Sequence, residues 1–411
     1  MSAAAAAEKG FRVIAFDPDS KLITKIVAGD YPIYEPGLAE LIDEVGDRLR
    51  FTSDGADIGQ TSVMYIAADV PTDEQGDSDI DSIDELIQLV ASQIDDGSVM
   101  VVMSQVPPGY TRQRDWPDAR LFYQVETLVI GEALQRAGSP ERFMVGCADP
   151  SSPLTPAYAE FLNSFGCPVI AMRYESAELA KIANNCFLAS TLTMTNTLAE
   201  ICEQIGADWS EIAPALRLDR RIGPHAYLSP GLGIGGGNIE RDLRTIARLA
   251  AGNGTEAGVI ESVFLNSAHR KKWILQTLHN KWGTEKADLT IAVLGLSYKP
   301  GSSSTKNSAA IDLLESLSHA RIRAFDPVID TIGARFPNVG IAASASACCT
   351  GADVIVVMTA WTDFAALTPD VLSKAAPGAI VIDPWAVLDG EGCAAAGLDY
   401  QKLGSIALSV L

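Results

Sequence analysis

The sequence contains no uninterrupted apolar run near the ~18 residues that cross a bilayer, so nothing in it reads as a membrane span. Basic residues are scarce: 31 Lys and Arg stand against 52 Asp and Glu, for a net charge of −21. Coating nucleic acid or an anionic membrane takes a basic field, so neither is an expected partner. An anionic small molecule stays possible, because one helix N-terminus or local cluster is enough to hold it. There are only four histidines, at 225, 269, 279 and 319, and no metal-ligand spacing occurs, so no metal is expected. The seven cysteines are odd in number, scattered, and never spaced C-x-x-C. That pattern excludes a disulfide framework or zinc knuckle and suits a reduced, cytoplasmic protein. Met1–Ala7 is apolar but short and lacks a basic flank, so it reads as helix rather than signal peptide.

What is present is an ordinary globular mixture, 47% hydrophobic and 20% charged, in 411 residues. Such a length predicts two or three domains. Ala3–Lys9 is strong helix former, and Gly10 stands where a glycine ends a helix. Phe11–Phe16 is then a short apolar strand closed by Asp17-Pro18. A helix feeding a strand that ends in Asp is the second half of a nucleotide-binding βαβ unit. Its first half, a strand and a G-x-G-x-x-G turn, is expected upstream of Met1.

Further strands are expected at Ser62–Ala67 and Ser98–Met103, preceded by amphipathic stretches Gly37–Val45 and Ile80–Ile94. Long helical runs cover Glu175–Ile205 and Thr255–Trp282. Leu289 onward returns to the strand–helix alternation, with strands at Ile291–Leu294, Ile322–Phe325, Val354–Met358 and Ala379–Ile382 and a helix at Ile311–Leu317. Phe16-Asp17-Pro18 and Phe325-Asp326-Pro327 repeat one strand-end chemistry. The expected fold is α/β: two Rossmann-like parallel-sheet domains, residues 1–172 and 285–411, joined by a helical dimerisation region, 173–284. The first long helix carries apolar residues on several faces (Leu179, Phe187, Met194 and Leu198 among them), so it must bury more than one stripe, which implies a homodimer.

Two local patterns carry chemistry. Lys181 and Asn185 lie four apart, on one face of a helix. Such a pair can hold a hydroxyl, the ammonium as base or oxyanion stabiliser and the amide as orienting partner. It is equally a solvated lysine with a capping amide. Gly231–Gly237 holds five glycines in seven residues, letting backbone approach a ligand closely.

Six stretches then occur in order: Tyr31-Pro32-Ile33-Tyr34-Glu35-Pro36-Gly37-Leu38, Val70-Pro71-Thr72, Val106-Pro107-Pro108-Gly109, Arg221-Ile222-Gly223-Pro224, Pro230-Gly231-Leu232-Gly233 and Gly295-Leu296-Ser297-Tyr298-Lys299-Pro300. Together they resemble the signature stretches of the nucleotide-sugar dehydrogenases, the UDP-glucose/GDP-mannose 6-dehydrogenase family, over nearly the whole chain. The resemblance implies an NAD-binding N-terminal domain, a dimeric helical centre and a C-terminal domain for the nucleotide diphosphate. It implies Asp17, Thr72 and Thr111 as cofactor-binding residues and Arg221, Tyr227, Gly233, Gly235, Gly236 and Lys299 as substrate-binding ones. The catalytic set it implies is Glu126, Lys181, Asn185, Asn238 and Asp242, with Glu126 and Thr72 lining the nicotinamide and sugar.

Where the family writes Gly-Gly-Ser-Cys and then Lys-Asp, this chain has Gly236-Gly237-Asn238 and then Arg241-Asp242. The family's cysteine holds the aldehyde between two hydride transfers; an amide cannot do so. Cys186 neighbours Asn185 but lies about 100° round the helix, facing the core. The family's Arg-Glu-Ser-Pro becomes Lys306-Asn307-Ser308-Ala309, a change from bidentate recognition to a point charge. Three readings stay open: a nucleotide-sugar 6-dehydrogenase that hydrates its aldehyde, a single-step NAD-dependent alcohol oxidation, and a non-catalytic nucleotide-sugar-binding protein.

Overall fold

The computed structural model describes residues 1–33, 35–70, 79–95, 97–129, 131–282, 289–317, 320–332 and 335–407. The chain divides into two compact units, Met1–Asn184 and Asn185–Leu411.

The first unit opens with the helix Ser2–Glu8, whose Ala4–Ala7 are buried, and Gly10 leaves it at φ +96°. Strands β1 (Val13–Phe16) and β2 (Leu49–Thr52) pair in parallel as a two-stranded sheet. A second sheet runs in the order β3 (Val63–Ile66), β4 (Val99–Val102), β5 (Leu121–Gln124), β6 (Phe143–Cys147), β7 (Val169–Arg173). Every pair in it is parallel except β5 with β6. All four residues of β4 are buried, as expected for a strand covered on both faces. Ile14 and Phe16 of β1 pack on the five-stranded sheet's core although the two sheets share no ladder among the described residues. The 32-residue helix Tyr174–Ile205 starts directly after β7, and its Tyr174 and Ala177 are fully buried in that same core. Gly146 on β6 makes room for it, since a Cβ there would lie 3.0 Å from the Ala177 Cβ.

In the second unit that spine helix runs on to Ile205 and is followed by Trp209–Leu218, Asn238–Asn253, Gly258–Lys271 and Trp273–Trp282. The expected single run Thr255–Trp282 is thus two helices. Ile260 and Val263 of the first serve a core with Leu243 and Ala189, whereas Trp273 and Ile274 enter the core of the C-terminal sheet. Two cores require a change of direction, and Lys272 supplies it. The sheet itself is wholly parallel, in the order β10 (Val339–Ile341), β9 (Arg321–Phe325), β8 (Thr290–Leu294), β11 (Val354–Val357), β12 (Ile380–Ile382), β13 (Asp399–Gln401). This is the 3-2-1-4-5-6 order of a dinucleotide-type fold, with its switch point between β8 and β11. Among the described residues no helix is long and apolar enough to cross a membrane.

Gly295 makes the turn out of β8 possible. It sits at φ +96°, and a Cβ there would fall 2.5 Å from the Thr359 Cβ and 2.7 Å from its amide nitrogen. Gly295→Ala should therefore combine left-handed strain with overpacking against backbone and destabilise by about 3 kcal/mol. A urea-unfolding midpoint unchanged from the parent would contradict this.

Candidate active site

In the first unit the spine helix carries Lys181, whose Nζ donates to the Glu126 carbonyl oxygen at 2.5 Å just past the end of β5. The Glu126 carboxyl accepts from Ser2 Oγ at 3.3 Å. Burial pushes this carboxyl above the usual range, and the Lys181 charge opposes the rise. The Met1 amine beside it is lowered by burial, against the pull of Glu126 and Glu35.

One turn before Lys181 stands Glu178, fully buried, which the sequence reading missed. It accepts from the amides of Gly109 at 2.5 Å and Thr111 at 2.8 Å, tying the Val106–Gly109 loop to the spine helix. Thr111 is itself fully buried in that arrangement. Glu35, in the Tyr31–Leu38 stretch, is likewise internal and accepts from the amides of Gly131, Ala133 and Leu134 at 2.7–3.3 Å. Thr72, with Tyr34 and Pro71 of the motifs, lies outside the described residues.

The two strand-end aspartates part company. Asp326 at the end of β9 is 5% exposed and accepts six hydrogen bonds, from the amides of Leu296, Ser297, Val328 and Ile329, the Ser297 hydroxyl and the Trp361 indole. Among the described residues Asp17, at the end of β1, accepts only from the Asp19 amide, at 2.8 Å, through Oδ1. Its Oδ2 has no hydrogen bond among the described residues. Only Asp17 keeps a lone pair for a ribose diol, so the residues present fit the adenosine end of NAD at β1. No group of three His, Cys, Asp or Glu that could hold a metal occurs among the described residues.

In the second unit Asn185 Nδ2 donates to Asp242 Oδ2 at 2.5 Å. Asp242 is 1% exposed, with Arg241 Nε 3.6 Å from its other oxygen. Asn238 begins the helix Asn238–Asn253 and is exposed. Its i,i+4 spacing puts it on the same helix face as Asp242. Asn185 and Asp242 are brought together by their hydrogen bond. Cys186 packs instead with Ala189 and Leu243, and burial first, then Asp242, pushes its thiol up to about 11.

The glycine loop is shaped by the chain itself. A Cβ on Gly233 would lie 2.7 Å from the Ser267 carbonyl oxygen and hydroxyl; one on Gly236 would lie 2.9 Å from the Tyr298 ring, which also flanks Gly235. The Gly231 amide donates to buried Asn196 Oδ1 at 2.8 Å. These glycines are required by intramolecular neighbours, whatever else the loop binds. Lys299 stands beside it, its Nζ 5.8 Å from the Tyr298 ring. Arg221 and Tyr227 are not drawn in: Arg221 is 89% exposed and paired with Asp219 at 2.6 Å, and Tyr227 is half exposed.

Residues 1–156 match the NAD binding domain of the UDP-glucose/GDP-mannose dehydrogenase family, residues 175–267 its central domain and residues 292–390 its UDP binding domain. The chain is 31% identical to the UDP-glucose 6-dehydrogenase AglM of Haloferax volcanii, over 98% of this chain and 96% of that one. It is 28% identical to the UDP-glucose 6-dehydrogenase TuaD of Bacillus subtilis, over 98% and 90%. Its fold is shared with a UDP-glucose dehydrogenase from Pyrobaculum islandicum, at a TM-score of 0.83 and 24% identity over 98% and 94% of the two chains.

The raised Cys186 thiol gives a direct check on whether it stands in for a nucleophile. With a pKa of about 11, only about one molecule in a thousand is thiolate at pH 8. Iodoacetamide should label Cys186 on the order of a hundredfold more slowly than an ordinary thiol. Mass spectrometry of the native protein showing full labelling at the ordinary rate would overturn the assignment.

Proposed function

The chain belongs to the UDP-glucose/GDP-mannose dehydrogenase family and carries its NAD-binding and UDP-binding domains, and from that premise we propose that it oxidises the primary alcohol of a nucleotide sugar, with UDP-glucose the representative substrate. The observation that carries this reading is the Asn185–Asp242 pair: a buried carboxylate holding an amide one helical turn from Lys181. In this reading residues 1–172 serve NAD, 173–284 form the helical centre and 285–411 take the nucleotide diphosphate. The free cysteines, seven of seven, agree with a reducing, cytoplasmic setting.

When bound, NAD supplies the hydride acceptor. The protein's own residues manage the proton and the charge. Lys181, held by the Glu126 carbonyl, stabilises the developing alkoxide. Asn185, fixed by Asp242, orients the hydroxyl, and Asp242 positions or accepts its proton. Asp17 receives the ribose diol, and Lys299 faces the diphosphate. Asn238 stands where the family uses cysteine, and an amide nitrogen is too delocalised to attack an aldehyde. The reaction therefore ends after one hydride, or proceeds through a hydrated aldehyde without a covalent thioester.

The exposed residues of the spine helix bear on the assembly. Phe187, Met194, Leu198, Ile201 and Ile205 are exposed, spaced seven, four, three and four residues apart. That is the seam spacing by which one helix packs along another, and we assign it to a homodimer. Sedimentation at micromolar concentration should give a dimer, and Met194→Glu should shift it toward monomer; a parent protein that sediments as monomer would remove this assignment.

Lys181→Ala should lower the rate of NADH formation roughly 10²–10⁴-fold, the range for one acid–base or oxyanion group. Asn238→Cys should raise the yield to two NADH per sugar. A covalent adduct on any cysteine of the parent protein during turnover would refute the mechanism. Absence of NADH from either form would favour the binding-protein reading.

A further inference from the structure

Asn307 is one of two non-glycine residues with positive φ among the described residues, at +54°. It precedes Ser308, the cap of the helix Ala309–Ser316, on the turn that leaves β8. Its Nδ2 donates to the Gly236 carbonyl oxygen at 2.7 Å and also to Glu240 Oε2. The neighbouring Lys306 carbonyl accepts from the Gly236 amide at 3.0 Å. Residues 306 and 307 thus grip both polar groups of a single glycine, against whose Cα the Tyr298 ring also packs closely. Glu240 is the third residue of the helix that carries Asn238 and Asp242, and its other oxygen is held by Arg244 Nη2 at 2.7 Å.

We propose that Asn307 is a positioning residue: its amide fixes the glycine loop and the first turn of the Asn238 helix to the C-terminal sheet, and so sets where Asn238 and Asp242 stand. The proposal rests on the nucleotide-sugar reading for its consequence, though not for its geometry. Asparagine suits the position for two reasons. It tolerates a left-handed backbone, and one Nδ2 serves a carbonyl and a carboxylate at once. Aspartate would keep the shape but set an acceptor against two acceptors. Glycine would keep the backbone and lose the donor.

The same two residues, Glu240 and Asn307, line a cavity of about 420 Å³ whose other charged walls are Lys271, Lys272, Asp312 and Glu315. These groups, Arg244 and Lys306, whose Nζ would lie 3.2 Å from a Cβ on Gly237, are the same in every single variant, so comparing glycine with aspartate at 307 isolates the new carboxylate.

The test compares the parent protein with Asn307→Gly, Asn307→Asp and the double variant Asn307→Asp/Glu240→Gln. Hydrogen exchange should show the amides of residues 236–242 opening at least tenfold faster in Asn307→Gly, with the melting temperature nearly unchanged, as expected for loss of a charge-assisted bond. UDP-glucose affinity by calorimetry should fall about tenfold or more. In Asn307→Asp the defect should be larger at pH 8 and ease toward pH 5, because two adjacent carboxylates take up a proton. Adding Glu240→Gln should recover part of it by restoring a donor–acceptor pair. Unchanged exchange in Asn307→Gly, or an Asn307→Asp defect indifferent to pH, overturns the proposal. If the parent protein fails to bind UDP-glucose, the functional reading falls while the exchange comparison still decides the clamp.

Discussion

A carboxylate withdrawn from water has to be met by hydrogen-bond donors, or it costs several kcal/mol. This acidic chain uses that demand to fix its loops. Glu35 gathers the 131–134 turn, Glu178 the loop after β4, and Asp326 the turn after β8. Asp383, fully buried, accepts from the amides of Trp385 and Leu388 and from the Tyr400 hydroxyl. Glu203 on the spine helix accepts from the Trp273 indole and the Gly404 amide. In each case a carboxylate collects donors, from a segment distant in sequence for all but Asp383, and the segment they come from loses its freedom. The Asn185–Asp242 pair is a further instance of the rule, with a side-chain amide in place of backbone.

The same logic separates what the sequence makes readable from what it conceals. Periodicity and strand-end punctuation are local, and they mark β1, β3 and β4, most of the wholly parallel C-terminal sheet, the spine helix and the paired Asp-Pro turns, but not the antiparallel pairing of β5 with β6. The buried acids act at a distance: Glu178 reaches residues 67 and 69 positions away, and Asn307 reaches 71. No window of ten or twenty residues contains such a pair. Gly231–Gly237 shows a subtler limit. Its composition announces close approach, yet composition does not say what approaches, and the neighbours are Ser267 and Tyr298. Likewise Thr255–Trp282 has uniform helical character, and only the presence of two separate cores explains its break at Lys272.

Lys181 and Asn185 illustrate how little a spacing decides alone. Four residues apart, they read as easily as surface side chains. Their environments differ: Lys181 donates to a backbone carbonyl, whereas Asn185 donates to a carboxylate that is 1% exposed. The first tether fixes where the ammonium stands. The second polarises the amide while leaving its oxygen uncommitted to that bond.

The pair of Phe-Asp-Pro turns shows that one tripeptide can be electrostatically open or closed. At β1 the aspartate accepts one hydrogen bond among the described residues; at β9 six donors hold it. The Asp326 carboxylate is consequently committed to holding the turn after β8, whereas Asp17 Oδ2 keeps acceptor capacity at the end of β1. What a strand-end carboxylate has left to accept is therefore set, in each half of this chain, by how many donors already point at it.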